Sequence, residues 1–173
     1  NGRLPLCWAT ICTIRFMQSL AFLLLAWCGS LWAWPGIVIH VSDGDTVWVQ
    51  PLQSNEVYKI RLLGIDAPEI CQPWGLQSRA ALHAALQGQR VEVSARTHDS
   101  YGRLLAQLSF QGVDMGAWMV GQGYAWSYRY QHQAGPYAAL EWQAQTQRLG
   151  IFAEGRPLQP RRFRKRWGPC HLP

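Results

Sequence analysis

The sequence has neither a Cys-x-x-Cys pair nor closely spaced histidines. A structural zinc site needs such anchors, and Cys71, Cys170, His132 and His171 are too scattered to supply them. Acidic residues are also few, 10 against 16 Lys and Arg, giving a formal net charge of +6 and a pI of about 9.4. At 173 residues the chain is too short for two full-sized domains, so one domain with appendages is expected. The basic excess is uneven. Arg161, Arg162, Arg164, Lys165 and Arg166 form one carboxy-terminal run, while Arg3 and Arg15 precede an apolar segment, so the intervening body is close to neutral. Charge alone therefore does not make the core a polyanion binder.

Arg15, Met17, the apolar run from Leu20 to Trp27 and the small residues Cys28, Gly29 and Ser30 have the layout of an export signal. Residues 1–34 are expected to be such a signal or a membrane anchor, with residues 1–16 an upstream extension, and export to the periplasm or the medium follows. The anchor is the alternative because apolar residues continue through Trp34, approaching the roughly 20 a spanning helix needs. Beyond this segment only Cys71 and Cys170 remain, which allows one disulfide or two free thiols.

From Gly36 onward the pattern turns to short β-type runs at 37–41, 46–50, 57–64, 89–95 and 104–110. Asp43-Gly44 supplies a tight turn between the first two. Trp74 to Gln87 reads as a helix with Leu76, Ala80 and Ala84 on one face, stopped at Gly88. Further helices are expected at 114–122 and after Pro136, the latter carrying Leu140 and Ala144. Three strands, a helix, two strands and then helices is the order of a five-stranded Greek-key barrel of OB type with an inserted helix and C-terminal helices. An open α+β sandwich fits the same order. The folded domain is expected over residues 35–155. The Pro- and Arg-rich tail over 156–173 is expected to be extended, on the surface and outside any catalytic site.

Three short segments carry chemistry. Asp43-Gly44-Asp45-Thr46 is by itself a polar hairpin. Arg61-Leu62-Leu63-Gly64-Ile65-Asp66-Ala67-Pro68-Glu69 puts an arginine near a strand end and two carboxylates just after it. Alternation sends Ile60 and Leu62 to one side and Lys59 and Arg61 to the other. Pro68 stiffens the loop between Asp66 and Glu69, making a platform suited to a hard cation. Asp99-Ser100-Tyr101-Gly102-Arg103 is a turn entering the fifth strand, with Arg103 in the outward phase.

Taken in order and with their spacing, these segments resemble the staphylococcal nuclease family over roughly Ile37 to Phe152. The resemblance implies a calcium ion held by Asp45, Asp66 and the carbonyl of Ala67. It implies Glu69 as the carboxylate that orients or deprotonates the attacking water, and Arg61 and Arg103 on the scissile phosphate. It further implies DNA or RNA as substrate, single-stranded or frayed, and products with 3′-phosphate ends. A monomer with no obligate protein partner is expected, and a membrane is involved only if the amino-terminal segment is uncleaved. The sequence departs from the family pattern in a much shorter loop after Glu69 and in Ser100, where the staphylococcal enzyme has a lysine. Tyr101 matches a phosphate-contacting residue of that enzyme. Tyr128 and Tyr130 are candidates for stacking on exposed bases, whereas Tyr124 and Trp126 are expected to pack in the core. The same residues are compatible with a catalytically idle OB-type binding module or an envelope interaction protein.

Overall fold

The computed structural model describes residues 33–170 apart from 132, 154 and 156. The expected signal therefore lies almost wholly outside the described residues. Among those described, no helix is long and apolar enough to cross a membrane.

Strands β1 (Ala33–Val41), β2 (Thr46–Pro51) and β3 (Tyr58–Leu62) form an antiparallel meander. After a short strand β4 (Ile65–Asp66) and helix α1 (Gly75–Leu86) come β5 (Arg90–His98) and β6 (Leu104–Phe110). β5 pairs antiparallel with β1 and β6, and β6 pairs in parallel with β3. That last pairing, Ile60 opposite Leu104 and Leu62 opposite Ala106, closes the sheet into a five-stranded barrel. Closure removes the open-sandwich alternative and leaves no free edge at the seam.

Alternation of apolar residues explains the barrel's filling. Val38, Val41, Val47, Val49, Ile60, Leu62, Val91, Val93, Leu104, Ala106 and Leu108 all point inward and are buried. Strand β5 runs three residues past its expected end because a bulge between Ala95 and Thr97 absorbs the break in alternation at Arg96. Strand β1 starts at Ala33, so the last residues assigned to the export segment belong to the sheet.

Helix α1 lies at its expected place but turns another face inward. Gly75, Ser78, Leu82 and Leu86 are buried, while Leu76 is 62 % exposed and Ala80 and Ala84 face solvent. A polar residue on the buried side, Ser78, is satisfied by donating its hydroxyl to the Tyr124 carbonyl at 2.7 Å.

A hairpin strand β7 (Val113–Asp114) leads into α2 (Met115–Gly121), whose N-cap Asp114 accepts from the amides of Gly116 and Ala117. Strand β8 (Trp126–Ser127) pairs with β4, and α3 (Ala138–Thr146) follows. A second apolar cluster of Trp126, Ala144, Ile151 and Phe152 backs this pairing. The carboxy-terminal run is a further helix, α4 (Pro160–Trp167), with Pro160 in its first turn. This corrects the expectation of an extended tail: Phe163 and Trp167 pack one turn apart at 4.8 Å, as helical spacing allows.

Candidate active site

Strand register brings the first two segments together. Thr46 stands opposite Arg61, and the Leu62 amide donates to the Asp45 carbonyl at 2.8 Å, so the start of β2 meets the end of β3. Arg61 then reaches Asp45 Oδ2 through Nη1 at 2.8 Å and Asp66 Oδ1 through Nη2 at 3.0 Å. Nη1 also donates to the Ile65 carbonyl. Asp66 itself is fixed by the β4–β8 pairing, opposite Trp126.

The backbone of Ala67 is tied to the same point, its amide donating to Asp45 Oδ2 at 2.8 Å. Asp45 Oδ1 accepts from the Thr46 hydroxyl, and Asp43 accepts from the Asp45 amide. Asp45 and Asp66 are 6 % and 5 % exposed, so they hold negative charge out of solvent and side by side. Burial, reinforced by the Asp45 charge, pushes Asp43 up to about 7. Burial and the Asp45 charge likewise raise Asp66, against the pull of Arg61 and Arg164. Crowded, desolvated carboxylates of this kind favour a bound cation.

Glu69 follows on a loop pressed against the start of α1. A Cβ at Gly75 would collide with the Glu69 carbonyl, so only glycine permits this approach. Gln72 stitches the same loop through its bonds to the Glu69 amide and carbonyl. The third segment arrives on the β5–β6 turn. Asp99 Oδ1 accepts from the amides of Tyr101 and Arg103, and its Oδ2 takes the Arg103 Nε at 2.8 Å. Burial raises the Asp99 carboxyl, but the hydrogen bonds from the backbone and side chain of Arg103 outweigh it and hold the group below its ordinary value. The ion pair occupies only Nε, and the terminal amino groups of Arg103 have no protein hydrogen bond among the described residues.

Asp43, Asp45, Lys59, Arg61, Ala67, Glu69 and Arg103 line one cavity of about 450 Å³, and Asp66 lies behind its wall, paired with Arg61. Tyr101 borders it and is 84 % exposed. Tyr128 and Tyr130 are not part of it. Tyr128, 40 % exposed, lines a neighbouring cavity, and Tyr130, 67 % exposed, lines neither. Trp126 is buried and Tyr124 packs against the core, as expected of both.

The basic run, expected to stay outside the site, enters it. Arg164 from α4 donates to Glu69 Oε1 at 2.6 Å and to Asp66 Oδ1 at 3.3 Å. These bonds outweigh its burial and raise its pKa. Helix α4 is brought here by a Cys71–Cys170 disulfide, with Cα atoms 5.8 Å apart, and by Gln72 Nε2 donating to the Leu158 carbonyl. Sequence reasoning missed Arg164. The only signal for it was a pair of cysteines, one two residues after Glu69 and one six residues after Arg164.

Comparison with known proteins bears on what such a cavity does. Residues 59–154 match the family described as staphylococcal nuclease homologue. The chain belongs to the staphylococcal nuclease family. Among its relatives, an uncharacterized endonuclease of Haemophilus influenzae is 32 % identical over 128 residues, covering 74 % of this chain and 71 % of that protein. A micrococcal nuclease of Shigella flexneri is 34 % identical over 141 residues, covering 75 % and 80 %. A probable staphylococcal-like nuclease of Oryza sativa subsp. japonica is 38 % identical over 134 residues, covering 75 % of this chain and 40 % of that longer protein. The protein is a nuclease, and nucleic acid is its substrate.

Proposed function

We propose that this nuclease is an exported, calcium-dependent phosphodiesterase that cleaves single-stranded or frayed DNA or RNA and leaves 3′-phosphate ends. The observation that carries the reading is the convergence of Asp45, Ala67, Glu69 and Arg103 on a single cavity, with Asp66 joined to Asp45 through Arg61 at its wall.

The donor set fits a hard divalent ion. It offers carboxylates and a backbone carbonyl, and neither histidine nor cysteine lines the cavity. Among the described residues no group of three or more His, Cys, Asp or Glu is arranged as metal ligands. The protein share of such a shell would be lean, and water and substrate phosphate would complete it. Asp45, Asp66 and the Ala67 carbonyl would hold calcium, which supplies positive charge to the phosphate and to the attacking water.

The side chains divide the remaining work. Glu69 orients the water and accepts or steers its proton as the oxygen approaches phosphorus. Charge then grows on the non-bridging oxygens, where the free terminal amino groups of Arg103 can meet it with paired donors. Arg61 has the same chemistry and is held by both aspartates, which a bound cation would share, leaving its guanidinium available to the phosphate. Tyr101 stands at the rim and contacts the substrate backbone. Export is supported by the Cys71–Cys170 disulfide, a bond that persists in oxidising compartments.

The test is incubation of end-labelled single-stranded DNA and RNA with the protein in calcium, in magnesium and in chelator, followed by analysis of product ends. Calcium-dependent fragments bearing 3′-phosphates are expected. Products ending in 3′-hydroxyl, or equal cleavage in chelator, would overturn the proposed chemistry.

A further inference from the structure

A second cavity, of about 280 Å³, opens beside the active site between the first turn of α4 and the segment after β8. Its walls include Asp66, Tyr128, Arg129, Arg161 and Arg162. Asp66 and Arg164 stand between the two cavities: Arg164 lines the first, Asp66 lines the second, and the two are paired at 3.3 Å. The first turn of α4 thus faces one cavity and the next turn faces the other. Three residues, or roughly 4.5 Å along the helix axis, separate Arg161 from Arg164.

The charge balance of the second cavity is positive. Asp66 is neutralised by Arg61 and Arg164, and Arg129 is neutralised by Glu141 at 3.0 Å. Arg161 and Arg162 are exposed and have no acidic partner among the described residues. Tyr128 adds an aromatic ring 40 % open to solvent. Two uncompensated guanidinium groups beside an open ring suit a phosphate next to an unstacked base. A cavity of this size accepts one nucleotide and is too small for a duplex.

We infer that this cavity is a subsite for a nucleotide flanking the cleaved bond of a single-stranded substrate, with Arg161 and Arg162 on its phosphate and Tyr128 stacked on its base. The inference rests on the nuclease activity and extends it to substrate length. It gives α4 a purpose, since the disulfide and Gln72 hold the helix where its basic residues prolong the catalytic cleft. Substrates long enough to span both cavities bind more tightly than those that fill only the first.

Binding of a fluorescent single-stranded 12-mer in chelator, followed by anisotropy over a range of salt, tests this directly. The Arg161→Gln/Arg162→Gln protein is expected to lose about 0.7 from the slope of log affinity against log salt, the share of the one phosphate that both arginines hold. Tyr128→Ala is expected to weaken binding on the order of 10- to 100-fold. Arg161→Lys/Arg162→Lys, which keeps the charge, retains the slope. Lys165→Gln/Arg166→Gln, in the last turn, also retains it; an equal loss there would reduce the subsite to diffuse attraction and overturn the inference. An unchanged slope in the Arg161/Arg162 variant would overturn it as well. Cleavage of a dinucleotide in calcium is expected to be unchanged in the Lys165→Gln/Arg166→Gln protein, whose altered residues line neither cavity. A wild-type protein that cleaves neither substrate while the slope still falls would sink the catalytic chemistry and leave the subsite standing.

Discussion

Asp45 and Arg61 reach the cleft through the barrel, whereas Arg164 reaches it through a chain segment that adds little to the core. On the barrel side, the pairing of Thr46 with Arg61 and the bond from the Leu62 amide to Asp45 set the positions of both charged groups. Those strands also bury Val47, Val49, Ile60 and Leu62, so the site cannot shift there without disturbing the core. On the carboxy-terminal side, only Pro160 of α4 is buried. Among the described residues, the helix is held by a covalent bridge, a side-chain bond to the Leu158 carbonyl and the ion pairs of Arg164. One wall of the cleft is thus fixed by packing and the other by a staple. A wall that is stapled rather than packed opens more readily, which suits a surface that must admit a polymer.

The largest effect expected on the packed wall comes from its arginines. Arg103→Lys keeps a charge but loses the paired donors, and its turnover should fall by the roughly 2.7–4 kcal/mol typical of a lost transition-state donor. Arg61→Lys should lose a similar amount and be less stable as well, because it breaks the pairs with Asp45 and Asp66. Steady-state kinetics with thermal melts separate the two. Near-normal turnover in either protein removes that arginine from the phosphate.

The stapled wall should respond differently. Replacing Cys71 and Cys170 by serine is expected to lower the free energy of opening α4 by about 2–4 kcal/mol while leaving β2 and β3 protected. Hydrogen exchange reads both regions at once. Uniform loss of protection across the barrel would mean that the tail and the core form one cooperative unit, and the contrast drawn above would fail.

A smaller effect is expected at the β5–β6 turn, which sets Arg103 at the edge of the packed wall. The Asp99 carboxyl lies below its ordinary value in the folded protein, so its stabilisation is present above the unfolded value near 4 and is lost as pH falls through the folded one. Asp99→Asn should therefore cost about 1 kcal/mol at neutral pH and nothing in strong acid. Denaturant unfolding at both pH values checks this, and a cost that persists in acid would assign the effect to geometry rather than charge.

What the sequence made legible follows the same division. Period-two alternation located every barrel strand, because each is buried on one face, and the motif order located Asp45, Arg61, Asp66 and Glu69 at adjoining strand ends. The buried face of α1 was misread. Leu76, Ala80 and Ala84 look like a core stripe, whereas the side facing the barrel uses Gly75 for close approach and Ser78 for a hydrogen bond. Hydrophobic patterning does not register either requirement. Helix α4 was hidden for a related reason: a run of Arg and Lys bracketed by prolines has a solvated composition, and what docks it is a disulfide spanning 99 residues of sequence. Pairing of that kind depends on distance in space, which two isolated cysteines do not reveal. Arg164 in the cleft was illegible with it.

The central claim is that the carboxylate on the loop after β4 is needed for the chemical step and not for holding the strand. Its most direct test is single-turnover cleavage of labelled single-stranded DNA by the wild-type protein and by Glu69→Ser in saturating calcium, with binding measured separately in chelator. The expected cleavage rate is lower by roughly 100-fold or more, as for other positioned acid–base groups, with binding retained or modestly tightened as Arg164 is released from Glu69. Cleavage at the wild-type rate, or a loss that parallels weakened binding, would contradict it.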